Sequence, residues 1–103
     1  MVAVSGPVDY ITDGARIARV SNGDAMMPRV TALGCSLNGV IGAFAVGQEP
    51  FEATVAALAY YGLAGELAAE TRPQGPASFA LAFIDALYRL SPATLTARAK
   101  VAL

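Results

Sequence analysis

The stretch Val30-Thr31-Ala32-Leu33-Gly34-Cys35-Ser36-Leu37-Asn38-Gly39 decides how this chain is read: a polar, glycine-bearing turn runs straight into an apolar segment ending near Val46. Leu37, Val40, Ile41 and Phe44 recur at helical spacing, so the segment from Leu33 or Gly34 to Val46 reads as a helix. Gly34 permits a tight turn in front of it, and Gly39 and Gly42 offer close approach to a neighbour, so the helix is expected to be buried. Its first N–H groups have no partner inside the helix and face whatever lies ahead, which makes its start attractive to anions. The only cysteine, Cys35, falls in that first turn, where a thiolate is stabilised by the same N–H groups. Taken by itself, Cys35 fits an inert thiol packed among small residues better than a reactive one.

Upstream, Val2-Ala3-Val4 reads as a short buried strand closed by Ser5-Gly6-Pro7. Asp13-Gly14 then separates two runs rich in Tyr, Ile, Thr and Val, the signature of a hairpin with a two-residue turn. Asn22-Gly23-Asp24 marks a further turn, and an irregular or extended stretch leads on to Val30. Asp9, Asp13 and Asp24 sit at turns, where Asp serves the backbone more often than a metal.

Downstream, Pro50 opens a second helix with Glu49 and Glu52 near its positive end. Phe51, Val55, Leu58, Gly62 and Gly65 line one face, and the helix is apolar nearly all round until Glu66 and Glu70; Tyr60 and Tyr61 read as core or interface filling. Pro76 opens a third helix with two stripes, Phe79/Phe83/Leu87/Leu90 and Leu81/Ile84/Tyr88, both expected to be covered. Ser91-Pro92 caps and starts a short fourth helix through about Lys100.

The 103 residues allow one domain with a small core. Charged residues make up only 15% and mean hydropathy is +0.51, so there is too much apolar surface for one small domain to hide. The uncharged window Val30–Gln48 has nearly the length of a membrane span, but it carries Thr31, Ser36, Asn38, Gln48 and four glycines. No Lys/Arg cluster flanks it, so membrane insertion is set aside. The start of the chain lacks the plan of a signal peptide, and a cytoplasmic location is the default. Net charge is −1 with seven scattered Lys/Arg, which leaves no basic stripe for nucleic acid. A lone cysteine and no histidine exclude an internal disulfide, the usual zinc ligand sets and Ser-His or Cys-His catalysis.

Five segments together change the odds at Cys35. Ser5-Gly-Pro-Val-Asp-Tyr-Ile-Thr-Asp13-Gly14, Thr31-Ala-Leu-Gly-Cys35, Ala64-Gly-Glu-Leu-Ala-Ala-Glu70, Gly75-Pro-Ala-Ser-Phe79 and Asp85-Ala-Leu-Tyr88 resemble, in order and spacing, the C-terminal portion of hydroxyethylthiazole kinase, of the ribokinase-like superfamily. The resemblance implies an α/β fold in which one or more strands and a β-hairpin precede three long helices and a short one, residues 1–103 forming a single incomplete domain. It further implies ATP-dependent phosphorylation of the hydroxyl of 4-methyl-5-(2-hydroxyethyl)thiazole in thiamine biosynthesis or salvage, with Mg2+. Cys35 then matches the base that activates the acceptor hydroxyl, Ser5 a Ser/Thr position near the ATP phosphates, and Ala32, Leu33 and Gly34 the anion hole. The family usually reads Gly-Thr-Gly-Cys where this chain has Ala-Leu-Gly-Cys, and Gly-Pro-Gly-Ser-Phe where it has Gly-Pro-Ala77-Ser-Phe. Alanine is accommodated at both places if φ stays negative. Family members form trimers with sites between subunits, and their N-terminal portion supplies most of the sheet, the thiazole pocket and the acidic residues around magnesium. The expected partners are therefore a homotrimer or that missing portion, without which the chain is expected to be inactive. The alternative is a non-catalytic remnant that oligomerises or binds a partner through its exposed apolar helices.

Overall fold

A computed structural model describes Met1–Leu103. Strands β1 (Val2–Val4), β2 (Asp9–Thr12) and β3 (Ile17–Val20) are followed by helices α1 (Leu33–Ala45), α2 (Pro50–Glu70), α3 (Pro76–Arg89) and α4 (Pro92–Arg98), and the chain closes on β4 (Val101–Ala102). The sheet order is β1-β2-β3-β4, antiparallel throughout. This is the expected α/β plan of strands and hairpin, then three long helices and a short one, with β4 added.

Helix α2 is the central element. Glu49 caps it by accepting from the Phe51 and Glu52 N–H groups, and Pro50 takes the first-turn position where a missing N–H does no harm. On one side Phe51, Leu58 and Ala59 pack on Ile11, Ala18 and Val20 of the sheet. On the other, Tyr61, Ala64 and Ala68 pack against Phe79, Phe83 and Ala86 of α3. A helix apolar on every side is stable only when flanked in this way.

The remaining apolar faces are open, against expectation. No residue of α1 is fully buried; Leu33, Leu37, Val40, Ile41 and Phe44 are half-buried against one neighbour, and nothing lies where a side chain at Gly39 or Gly42 would point. On α3 only the Phe79/Phe83 stripe is covered, while Leu81 and Tyr88 are 69% and 89% exposed. Strand β1 is exposed because it is an edge paired only to β2, and its outward Val2 and Val4 share an uncovered face with Tyr10 and Ile17.

The hairpin loop is four residues, Asp13–Arg16, since Thr12 pairs with Ile17. Asp13 accepts from the Ala15 and Arg16 N–H groups and pairs with the Arg16 guanidinium, while Gly14 takes φ +95°. Those bonds hold the Asp13 carboxyl well below the usual carboxylate range. Met27–Arg29 forms one 3-10 turn where an irregular stretch is expected. No helix is long and apolar enough to cross a membrane.

Candidate anion-binding cleft

The turn into α1 is built on Ala32, not on Gly34. Ala32 is the N-cap and takes φ 65°, ψ 12°, the left-handed region, and no side chain caps the helix. The condition under which alanine replaces glycine without strain is therefore not met here, and the conformation costs about 1–2 kcal/mol for a residue with a Cβ. Gly34 is already helical, and a side chain on it would point into open space. Its absence leaves the first-turn N–H groups accessible. At Ala77 the second departure is harmless, because it lies within the first turn of α3, where alanine is a favoured residue.

Leu33 and Gly34 line a cleft of about 510 Å³ together with Ser5, Gly6 and Pro7 from the β1–β2 loop. Residues of the loop Asn22–Pro28 and Leu58, Tyr61 and Gly62 of α2 complete its lining. Of the residues singled out in the sequence, Ser5, Leu33 and Gly34 thus meet in one cavity, with Ala32 and Cys35 adjacent to them in the chain. Cys35 is exposed, which overturns the buried-thiol reading. The Tyr61 hydroxyl donates to the Leu33 carbonyl and pins the helix start to α2.

The carboxylates near the cleft are engaged with the backbone. Asp9 is buried and accepts from the Gly6 N–H; burial pushes its carboxyl up, against the lowering effect of that bond. Asp24 accepts from the Met26 N–H. No group of three His, Cys, Asp or Glu is placed to hold a metal ion. The volume, by contrast, suits a small-molecule ligand, and the uncapped helix start suits its phosphates.

Sequence reasoning missed the wall Asn22–Pro28. It is seated on α2 at Gly62 and Gly65: a Cβ at Gly62 would lie 2.5 Å from the Asn22 carbonyl oxygen, and one at Gly65 would lie closer still to the Met27 sulfur. These two glycines admit a loop, not a neighbouring helix. The signal that could have found it is the Asn22-Gly23 pair, whose buried amide needs partners from elsewhere in the fold.

Comparison with known proteins identifies relatives of nearly the whole chain. Residues 1–93 match the model of the family described as the Hydroxyethylthiazole kinase family. A hydroxyethylthiazole kinase of Cereibacter sphaeroides (strain ATCC 17023) is 60% identical over 101 residues, covering 98% of this chain and 38% of the relative. One from Rhizobium leguminosarum bv. trifolii is 53% identical over 103 residues, again covering 98% and 38%. A solved hydroxyethylthiazole kinase structure from Pyrococcus horikoshii OT3 superposes with a TM-score of 0.93 at 42% identity, covering 98% of this chain and 39% of that one. The chain thus spans well under half the length of the relatives it matches.

Proposed function

Given that the chain belongs to the hydroxyethylthiazole kinase family, we propose that it carries the phosphate-side half of a kinase site, corresponding to the C-terminal portion of the relatives and completed by their remaining portion. The observation that supports this most is the convergence of Ser5, Leu33 and Gly34 on one cleft beside the exposed Cys35.

In this reading ATP lies with its phosphates toward the start of α1, near Ser5, and the N–H groups following Ala32 receive the charge that develops on the transferred phosphoryl group. Cys35, as the base, accepts the proton of the thiazole hydroxyl as that oxygen bonds to the γ-phosphorus and the bond to the ADP oxygen breaks. Acidic residues of the remaining portion would hold magnesium, which would supply neutralising charge on the phosphates when bound. A homotrimer and a cytoplasmic location complete the proposal. Phosphoryl transfer rests on positioning and charge, so this half alone is expected to bind nucleotide but not to turn over.

The test is reconstitution. Supplying the remaining portion from the Cereibacter sphaeroides relative should give ATP-dependent phosphorylation of hydroxyethylthiazole; a correctly folded assembly without turnover would contradict the proposal. The second reading, a non-catalytic oligomerisation or partner-binding module, is favoured by the strained Ala32 and the open Leu81/Ile84/Tyr88 stripe. It predicts a stable assembly that binds no ATP in calorimetry.

A further inference from the structure

Gly65 and Glu66 lie three and four residues beyond Gly62, so both share the Gly62 face of α2. The glycines leave that face bare for the Asn22–Met27 loop, and Glu66 closes the seat. One of its carboxylate oxygens, Oε2, accepts from the Asn22 side-chain amide at 2.6 Å and from the Gly23 N–H at 3.2 Å; the other, Oε1, accepts from the Lys100 ammonium at 2.9 Å. Asn22 is 4% exposed and fully satisfied: its amide also donates to the Arg98 carbonyl, and its oxygen accepts from the Lys100 N–H at 2.6 Å. Ser21 N–H donates to the Lys100 carbonyl, and the Arg98 guanidinium pairs with Glu70. One buried amide therefore joins the cleft wall, the central helix and the closing segment Arg98–Lys100.

We infer that Glu66 is a positioning residue for the nucleotide cleft, holding through Asn22 and Gly23 the loop that lines it together with the start of α1. The inference rests on the kinase reading for the ligand, but the clasp is defined by the geometry alone. Charge-assisted bonds of this kind are the stronger ones, and a buried donor left without its acceptor is disfavoured. Removal of the carboxylate should therefore free the wall without dissolving the α2 core.

The test compares the full chain with its Glu66→Ala and Glu66→Gln variants by amide hydrogen exchange and by calorimetry with ATP. In Glu66→Ala the Gly23 and Lys100 amides should exchange about tenfold faster or more, while α2 amides between Ala57 and Ala64 keep their protection. ATP affinity should fall about tenfold, and Glu66→Gln, which retains an acceptor for the Gly23 N–H, should recover most of it. Unchanged exchange at Gly23 in Glu66→Ala overturns the inference, as does freed exchange with unaltered ATP affinity. A parent chain that binds no ATP contradicts the kinase reading, whereas the exchange pattern still decides whether Glu66 holds the wall.

Discussion

The phenolic hydroxyl of Tyr61 donates to the main-chain carbonyl of Leu33, so the middle of α2 is tied to the first turn of α1. Burial pushes the phenol pKa up, against a smaller lowering by Ser36, so Tyr61 remains a donor across the physiological range. Its ring meets Phe83 edge-on at 4.9 Å. The same side chain thereby serves the α2–α3 core and ties down the first turn of α1, whose Leu33 and Gly34 line the cleft. Tyr61→Phe keeps the ring and loses the bond, and should destabilise the chain by about 1 kcal/mol in urea denaturation. Stability equal to the parent would show that the tie is idle.

Ala32→Gly should do the reverse. It relieves a left-handed φ of 65°, and even after the added freedom of the unfolded chain the variant should gain up to about 1 kcal/mol. A loss of stability on this substitution would show that the turn is not strained.

Gly62→Ala separates two effects of opposite sign. Helix propensity alone would stabilise α2 by about 1 kcal/mol. The new Cβ, however, would fall 2.5 Å from the backbone oxygen of Asn22, and overpacking of that kind destabilises by about 1–3 kcal/mol. The loop is itself anchored, so the clash should win; a more stable Gly62→Ala protein in thermal denaturation would mean that the wall is not seated on α2.

The pH dependence follows from Glu66. Burial would raise its carboxyl, but the bonds from Lys100, Asn22 and Gly23 outweigh burial and hold it below its ordinary value of 4.5. A carboxyl depressed in the folded state binds its proton more readily when unfolded, so its stabilisation is present above about pH 4.5 and is lost as pH falls through the folded value. The parent should therefore lose more stability than Glu66→Gln between neutral and acidic pH, measured by urea denaturation. Equal losses would show that Glu66 is not the group responsible. Asp9, raised by burial, acts in the opposite sense and is common to both proteins, so it cancels in the comparison.

Much of this architecture is legible in the residues. Pro50, Pro76 and Pro92 each mark a helix start, with Glu49 and Ser91 as caps, because local chemistry at a helix end is read within four residues. Which apolar face is covered is not local. Leu81 and Phe83 are equally apolar, yet only Phe83 meets α2, and Val2 and Val4 carry no mark of being uncovered. Strand β4 is two residues whose pairing with β3 depends on where α4 ends. At the site, Ser5, Leu33, Gly34 and Cys35 came from motifs in register. The positive φ of Ala32 could not be read, since only glycine announces such a turn, and although Glu66 lies in the Ala64–Glu70 segment and Asn22 in a turn, nothing local pairs them, because their bond spans 44 residues.

The most direct test is the turnover of the Cys35→Ala protein, reconstituted with the remaining portion and compared with the parent at saturating ATP and hydroxyethylthiazole. Loss of a general base should lower kcat by about 10²–10⁴ while nucleotide affinity stays near that of the parent. A Cys35→Ala enzyme with undiminished kcat would contradict the assignment of the exposed thiol as the hydroxyl-activating base.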